Sequence, residues 1–487
     1  VKRTKITSLL VTALLTVSLS ACGGNNNGNN SAATNSPQNS ATPAESASAS
    51  PSPSESTDTG AGNPVTITVL NEGAVGIGVG KLDDLFAPKE KELKGKGIDV
   101  TYTPGNPVAA FPLHYQKIIA GKLHEKNISV KTEDWGWGEP LIQKETAGFL
   151  AKNVPDIIVG ETQMPGFAQQ GLLEPFPDDM AAEIRENVSP AAWKPMEYDG
   201  KIYGLASQPG VSSLYWNKKL VKEAGIDPEK PITSWQELAD NAKKVTEAGK
   251  GKFYGGGVYA GPNFGGYLRY GALIGINGGS YADANGQPTF NSDANVETVN
   301  LLRELNADHP AGLMVNNTEG TYFDAWNKGQ IAYLIDGPWQ VQQCKDNKLE
   351  CGMSPIPLSP NGAAANVTIG AAFHSVPKDA KNKDAAFEYI KAMYSKEIQQ
   401  LIADSNVRSP ILKEIAEAHD YQQKHPEMYL HYQAMNGNVQ GLPTFAKDNS
   451  KVWQVWGDAV VKSLMTKGDV KAILDDAQKK AEQITKQ

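Results

Sequence analysis

The first clear pattern along the chain is a two-residue alternation of apolar and polar positions. "VTITVL" (65–70), "ISVKTE" (128–133) and the more continuously apolar "PDIIVG" (155–160) read as strands. Between the last two, "LIQKETAGFLAKN" has helical spacing, and strands alternating with helices predict an α/β layer with largely parallel pairing. "TSWQELADNAKKVTEAG" (233–249) opens with a capping box, Ser234 to Glu237, spaces Trp235, Leu238, Ala242 and Val245 along one face, and stops at Gly249. Two further amphipathic stretches, "DAAFEYIKAMYSKEIQQLI" and "DVKAILDDAQKKAEQI", are expected to bury one face as ordinary core. In "AYLIDGPWQ" (332–340) the apolar run leads into Asp336, a Gly-Pro turn and Trp339, where a buried strand is expected to meet solvent. A strand end holds its side chains on a rigid frame, so this pair is a candidate for holding a ligand.

The front of the chain follows a different pattern. Lys2, Arg3 and Lys5 precede an apolar run from Ile6 to Leu19, too short to span a bilayer comfortably, that ends at Leu19, Ser20, Ala21 and Cys22. Basic, apolar and small residues in that order read as an export signal over residues 1–21, not as a transmembrane helix. A small-residue site followed directly by a Cys resembles the lipobox of bacterial lipoproteins, which implies a lipid anchor at Cys22; ordinary secretion with Cys22 free is the alternative. Residues 22–63 hold Asn, Ser, Ala, Pro, Thr and Gly with almost nothing to bury, so a disordered tether is expected. About 40 residues of coil have an average span of about 35 Å, enough to lift a domain off a membrane. The expected location is the outer face of the cell membrane. The long polar tether and Gly23 favour a single-membrane, Gram-positive surface.

Charge and cysteine content narrow the chemistry. Lys and Arg number 46 against 54 Asp and Glu, a net charge of −8 that is more acidic still without Lys2, Arg3 and Lys5. With the lysines scattered, no basic surface for nucleic acid is expected. Cys344 and Cys351 sit in "CKDNKLEC", read as a polar hairpin-like loop; an oxidising compartment points to a disulfide, with two free thiols as the alternative. "GAVGIGVGKL" (73–82) fits neither G-x-G-x-x-G nor G-x-x-x-x-G-K-[ST], since Leu82 stands where a hydroxyl is needed, and reads as a flexible loop. His419, His425 and His431 recur every six residues across Pro426 and read as solvated loop histidines, not metal ligands. The sequence has no H-E-x-x-H, no G-x-S-x-G and no cysteine–histidine pairing for a nucleophile, so no metal or cofactor is expected. Asp336 with Glu161 or Glu72 stays open as the carboxylate pair of a glycosidase.

About 425 residues follow the tether, too many for one core, so two domains are expected. "PDIIVGETQMPGFAQQGLLEPF" (155–176), "DGKIYGLASQPGVSSLYWNKKLVKEAGID" (199–227), "DAWNKGQIAYLIDGPWQ" (324–340) and "IGAAFHSVPKDAKNKDAAFEYIKAMYS" (369–395) occur in this order. The ordered set resembles the extracellular solute-binding proteins of the maltose-binding type, the receptors of ATP-driven sugar importers. The resemblance covers nearly everything from Val65 onward. It implies a two-lobed α/β fold of the type II periplasmic-binding-protein class, with a ligand cleft between lobes joined by hinge segments. The N-terminal lobe is expected over 64–206 with 370–409, and the C-terminal lobe over 207–369 with 410–487. Crossings are expected near 205–208, 360–370 and 408–410. Between the strands at Val65 and Ile128 lie about twice the residues that one crossover helix needs, so "DVTYTPGNPVAAF" (99–111) is expected to be an inserted hairpin or flap.

The resemblance and the strand-end rule together nominate a site. On the first lobe it takes Asn71, Glu72, Trp135, Trp137, Glu161, Thr162 and Gln163. On the second it takes Phe264, Tyr267, Asp336, Trp339 and Trp453, with Asp336 as hydrogen-bond acceptor and Trp339 as stacking plate. A sugar offers C–H patches on its ring faces and hydroxyls around its rim, which aromatic faces flanked by carboxylates and amides match. Trp193, Trp216, Trp235 and Trp326 are assigned to packing. The implied function is capture of a carbohydrate, an oligosaccharide by the resemblance, by a monomer that delivers it to ABC transporter permease subunits without catalysis. A secreted carbohydrate-active enzyme using Glu161 or Asp336 as general acid, and a binder of a non-sugar solute, are the alternatives.

Overall fold

The alternating stretch Val65–Leu70 forms β1 and pairs in parallel with β2 (Ile128–Glu133), Val65 opposite Ile128 and Leu70 opposite Glu133. The structure, a computed structural model, describes residues 64–71, 82–98, 110–136, 138–316, 318–360, 367–437, 439–445 and 447–486. The expected export signal, Cys22, the tether, residues 73–81 of the Gly-rich stretch and residues 99–109 of the expected flap lie outside the described residues. Two helices, Leu82–Gly95 and Ala110–His124, fall between β1 and β2, so the last two residues of the expected flap begin a helix. β3 (Ile158–Gly160) joins on the other side of β1 through a parallel bridge from Val69 to Ile157.

A short hairpin of β4 (Glu197–Tyr198) and β5 (Lys201–Ile202) leads to β6 (Leu205–Ala206). The chain then crosses through β7 (Gly210–Val211) into β8 (Ser213–Asn217), the inner strand of a second sheet. With β9 (Tyr254–Val258), β10 (Ile331–Asp336) and β11 (Cys351–Ser354) this sheet has the order β11-β8-β10-β9. Parallel pairing holds for β2-β1-β3 in the first lobe but only for β9 with β10 in the second. The strand that comes off the crossing, β8, runs against both its neighbours.

The return passage runs through β12 (Val367–Gly370) and β13 (Phe373–Ser375). β12 pairs antiparallel with β7, Ile369 opposite Val211, and β13 pairs antiparallel with β3 and β6. Outward and return passages therefore lie side by side, with only Ser207 to Pro209 and Ala371 to Ala372 between their paired stretches. β14 (Val439–Gln440) adds to β12 in parallel. Between the two, residues 411–435 touch both lobes: the Ser189 N–H donates to the Ile411 carbonyl at 2.8 Å, and the His431 ring meets the Tyr215 hydroxyl at 2.7 Å.

His431 corrects the reading of solvated histidines. It is fully buried on the helix Pro426–Met435, its Nδ1 is 3.1 Å from the Val211 carbonyl, and burial pushes its imidazole down to about 3. Six-residue spacing hid this because two helices, His419–Lys424 and Pro426–Met435, replace the expected loop. "CKDNKLEC" is likewise no hairpin: Cys344 lies in the helix Gln340–Asp346 and Cys351 opens β11, and the two form a disulfide with Cα atoms 6.2 Å apart.

Two apolar clusters hold the lobes. The first gathers Ile67, Val69 and Ile157 with the helix Lys383–Met393, and continues past the crossings to Leu334 of β10. The second packs Trp235, Leu238, Ala242 and Val245 of the helix Trp235–Gly249 against Leu214 and Trp216 of β8 and Tyr333 and Ile335 of β10. That helix starts where its cap predicts, the Ser234 hydroxyl accepting from the Glu237 N–H at 3.2 Å. The Glu237 carboxylate turns to the Thr233 N–H at 3.0 Å, one residue earlier than the capping box requires.

Candidate functional site

β3 ends at Gly160, and the chain turns through Glu161, Thr162 and Gln163 into the helix Met164–Gln169. Gly160 leaves room for the Gln163 amide, since a Cβ there would lie 2.1 Å from its Nε2 and displace the side chain. The Gln163 amide folds back there: Nε2 donates to Glu145 Oε2 at 2.7 Å, and Oε1 accepts the Glu161 N–H at 3.3 Å. Glu145 sits on the helix Glu139–Ala151 with no exposed surface, and burial pushes its carboxyl up to about 8 despite the bond from Gln163.

The opposite wall comes from the second lobe. Asn263 caps the helix Phe264–Ile276 by accepting the Gly266 N–H at 3.1 Å, which places Phe264 and Tyr267 on its first turn. Tyr267 stacks on Trp453 of the helix Asn449–Met465, with ring centroids 4.8 Å apart and planes 12° from parallel. The Tyr267 hydroxyl donates to the Trp453 carbonyl at 3.1 Å, and the edges of Tyr281 and Phe445 brace the indole. Gly457 lets the two helices meet, because a Cβ there would lie 2.4 Å from the Tyr267 hydroxyl.

Between these walls is a cavity of about 600 Å³. Leu141, Ile142, Glu161, Thr162 and Gln163 line it from one side, and Asn263, Phe264, Tyr267, Asn449, Ser450, Trp453, Gln454 and Asp458 from the other. The walls touch directly where the Thr444 hydroxyl donates to the Thr162 carbonyl. Aromatic faces flanked by carboxylates, amides and hydroxyls suit a ligand with apolar faces and a hydroxylated rim. Among the described residues no group of His, Cys, Asp and Glu is arranged to hold a metal ion. No described helix is long and apolar enough to cross a membrane.

Of the residues nominated from sequence, the structure brings Glu161, Thr162, Gln163, Phe264, Tyr267 and Trp453 to this cavity. Glu72 and Trp137 lie outside the described residues. Asn71 follows β1 with its N–H on the Glu133 carbonyl, and Trp135 donates to the Glu133 carboxylate at 3.1 Å; neither lines the cavity.

Asp336 and Trp339 need a correction. Every residue of β10 is buried through Asp336, so the strand end does not meet solvent. The Asp336 carboxylate is fully buried and accepts from Arg269 Nε, Trp339 Nε1 and Gln340 Nε2, each at 2.7 Å. The Trp339 ring is covered by the Arg269 and Arg408 guanidinium groups, 5.7 and 4.7 Å from its centre. Burial works against the Arg269 charge, but Asp336 and Glu319 outweigh it and raise its pKa further. The pair belongs to an internal network behind the helix Phe264–Ile276, and neither residue lines the cavity.

Sequence reasoning missed Asn263, Asn449, Ser450, Gln454 and Asp458. Helical spacing from Trp453 was an available signal for Asn449 and Ser450, four and three positions before it on the same face, but not for Asn263, Gln454 or Asp458.

The model of the bacterial extracellular solute-binding protein family matches residues 114–400. A maltooligosaccharide ABC transporter solute-binding lipoprotein of Streptococcus pneumoniae (strain ATCC BAA-255 / R6) is 26% identical over 364 residues, covering 73% of this chain and 82% of that protein. The fold is similar to that of the cyclic alpha-maltosyl-1,6-maltose binding protein from Arthrobacter globiformis, with a TM-score of 0.64 at 18% identity over 87% of this chain and 99% of that one. It is also similar to that of maltose-bound T. maritima MalE3, with a TM-score of 0.66 at 19% identity over 86% of this chain and 99% of that one. The architecture is thus the two-lobed α/β fold of maltose-binding-type proteins, and the chain belongs to the bacterial extracellular solute-binding protein family.

Proposed function

We propose that this protein is the carbohydrate receptor of an ABC importer, capturing an oligosaccharide between its lobes and presenting it to membrane permease subunits. The observation that carries this reading is the Tyr267–Trp453 stack opening, with Phe264, onto a cavity whose other wall holds Glu161 and Gln163. We assign Glu161, Gln163, Phe264, Tyr267 and Trp453 as ligand contacts, and add Asn263, Asn449, Gln454 and Asp458. The lobes divide as 64–206 with 370–409 and 207–369 with 410–487, and closure is rotation about the paired crossings. The receptor acts as a monomer, held by a lipid on Cys22 through the tether of residues 22–63, at the outer face of a Gram-positive membrane. The relative that is named a lipoprotein supports the anchor, and those named for maltooligosaccharides support an α-glucan ligand.

Binding proceeds without catalysis. Asp336, one of the two candidate general acids, is enclosed by Arg269, Trp339 and Gln340. The deciding experiment is thermal unfolding of the chain without its export signal, against maltose to maltoheptaose and a panel of other glycans, with the sugars checked afterwards by chromatography. A ligand at a hundred times its Kd stabilises the native state by about 2.7 kcal/mol, so the matching sugar raises the Tm with the logarithm of its concentration. Stabilisation by an intact oligosaccharide is expected. Cleaved sugar would establish the enzyme instead, and a flat response across the panel would point to a non-sugar solute.

A further inference from the structure

The wall of the cavity on the first lobe depends on a side chain that does not line it. Glu145 has no exposed surface, its Oε1 is buried without a partner, and its Oε2 is taken by the Gln163 amide at 2.7 Å. Gln163 in turn holds the Glu161 N–H, at the turn that enters the cavity. We propose that Glu145 is a positioning residue for this wall: its buried carboxyl group fixes the Gln163 amide, which fixes the Glu161 backbone at the edge of the cleft. The inference rests on the cleft being the ligand site.

The surroundings favour the neutral acid. β3, the helix Met164–Gln169 and β1 carry no titratable side chain. On its own helix Lys144 is exposed, and on β2 Lys131 is exposed and bonded to Glu133. Among the described residues no cation on these elements is placed to offset a charge on Glu145, and burial drives its carboxyl up to about 8. An ionised Glu145 would need solvation, which the packed site provides only if the wall opens and releases Gln163.

Hydrogen–deuterium exchange of residues 158–167, corrected for the intrinsic pH dependence of exchange, tests this without any ligand. In the native chain, protection of the Glu161 amide is expected at pH 6 and to fall about tenfold at pH 9. Glu145→Gln keeps the acceptor without the charge, so its protection should be equal at both pH values; Glu145→Ala should lose it at both. Equal protection in Glu145→Ala and the native chain, or the same loss at pH 9 in Glu145→Gln, would overturn the proposal. If Glu145→Ala does not fold, the native chain and Glu145→Gln decide it between them. Maltotriose titrated by tryptophan fluorescence is expected to bind about tenfold more weakly at pH 9 than at pH 6 in the native chain, but equally in Glu145→Gln. Absence of maltotriose binding at pH 6 would count against the α-glucan reading alone, while the exchange data would still settle the role of Glu145.

Discussion

Removing the Asp336 carboxylate leaves the buried Arg269 guanidinium with the partly exposed Glu319, 2.9 Å away, and the Gly265 carbonyl, 2.8 Å away. Breaking a buried ion pair from one side costs about 3–5 kcal/mol, so Asp336→Ala is expected to lower unfolding stability in urea by that amount. A loss below about 1 kcal/mol would mean that Glu319 alone holds the charge. Phe264 offers the contrasting case, because it is half-buried at the cavity edge. Phe264→Ala is expected to leave the urea midpoint nearly unchanged and to weaken oligosaccharide binding about tenfold, equivalent to about 1.4 kcal/mol. An unchanged affinity in calorimetry would remove Phe264 from the contact set. These residues also show what a single sequence displays at this scale. The type of chemistry was legible in both stretches, but depth was not: "AYLIDGPWQ" places a carboxylate beside a tryptophan without revealing that Arg269, on a distant helix, would enclose them.

At the scale of elements, the contact between the helices Phe264–Ile276 and Asn449–Met465 turns on Gly457. Helix propensity alone predicts that Gly→Ala stabilises by about 1 kcal/mol. Here the added Cβ would meet the Tyr267 hydroxyl at 2.4 Å and Pro262 at 3.0 Å, so Gly457→Ala is expected to reverse that sign and lower the Tm. A higher Tm would show that the stack relaxes freely. Elements with strong periodicity and caps were read well, as in Trp235–Gly249, because their local rules and their burial agree. The helices of the 419–435 segment are not legible in the sequence, because Pro426 reads as an interruption. It opens a helix instead, at a first-turn position where its missing N–H costs nothing.

Across the whole molecule, stability depends on pH through groups on both sides of neutrality. His431 and His309 are buried neutral, with burial lowering them to about 3 and about 4, whereas the unfolded chain restores about 6.5. The unfolded state then binds more protons below 6.5, so this contribution is complete above that pH and is lost as pH falls toward 4 and 3. Glu145 acts in the opposite direction. Raised to about 8 from about 4.5, it contributes fully below 4.5 and loses its contribution as pH rises to 8. Calorimetry from pH 4 to 9 is expected to place the highest Tm on the acid side of neutrality, and Glu145→Gln to carry the plateau up to pH 8. An unchanged alkaline limb in that variant would place the loss elsewhere. The two-lobed plan was legible because crossings, strands and helices recur in a fixed order along the chain. Sheet direction in the second lobe was not, because local pattern carries no information about which end of a sheet a strand enters from.

The link between Cys344 and Cys351 has a practical side. Cys22 is the only other cysteine in the chain, so a version that starts after the tether carries no reactive sulfhydryl. A single cysteine introduced in place of Gln454, exposed at the cavity rim, would take a maleimide dye at one position only. Such a conjugate would report occupancy of the cleft as a change in colour or brightness, turning the receptor into an optical gauge of its own cargo.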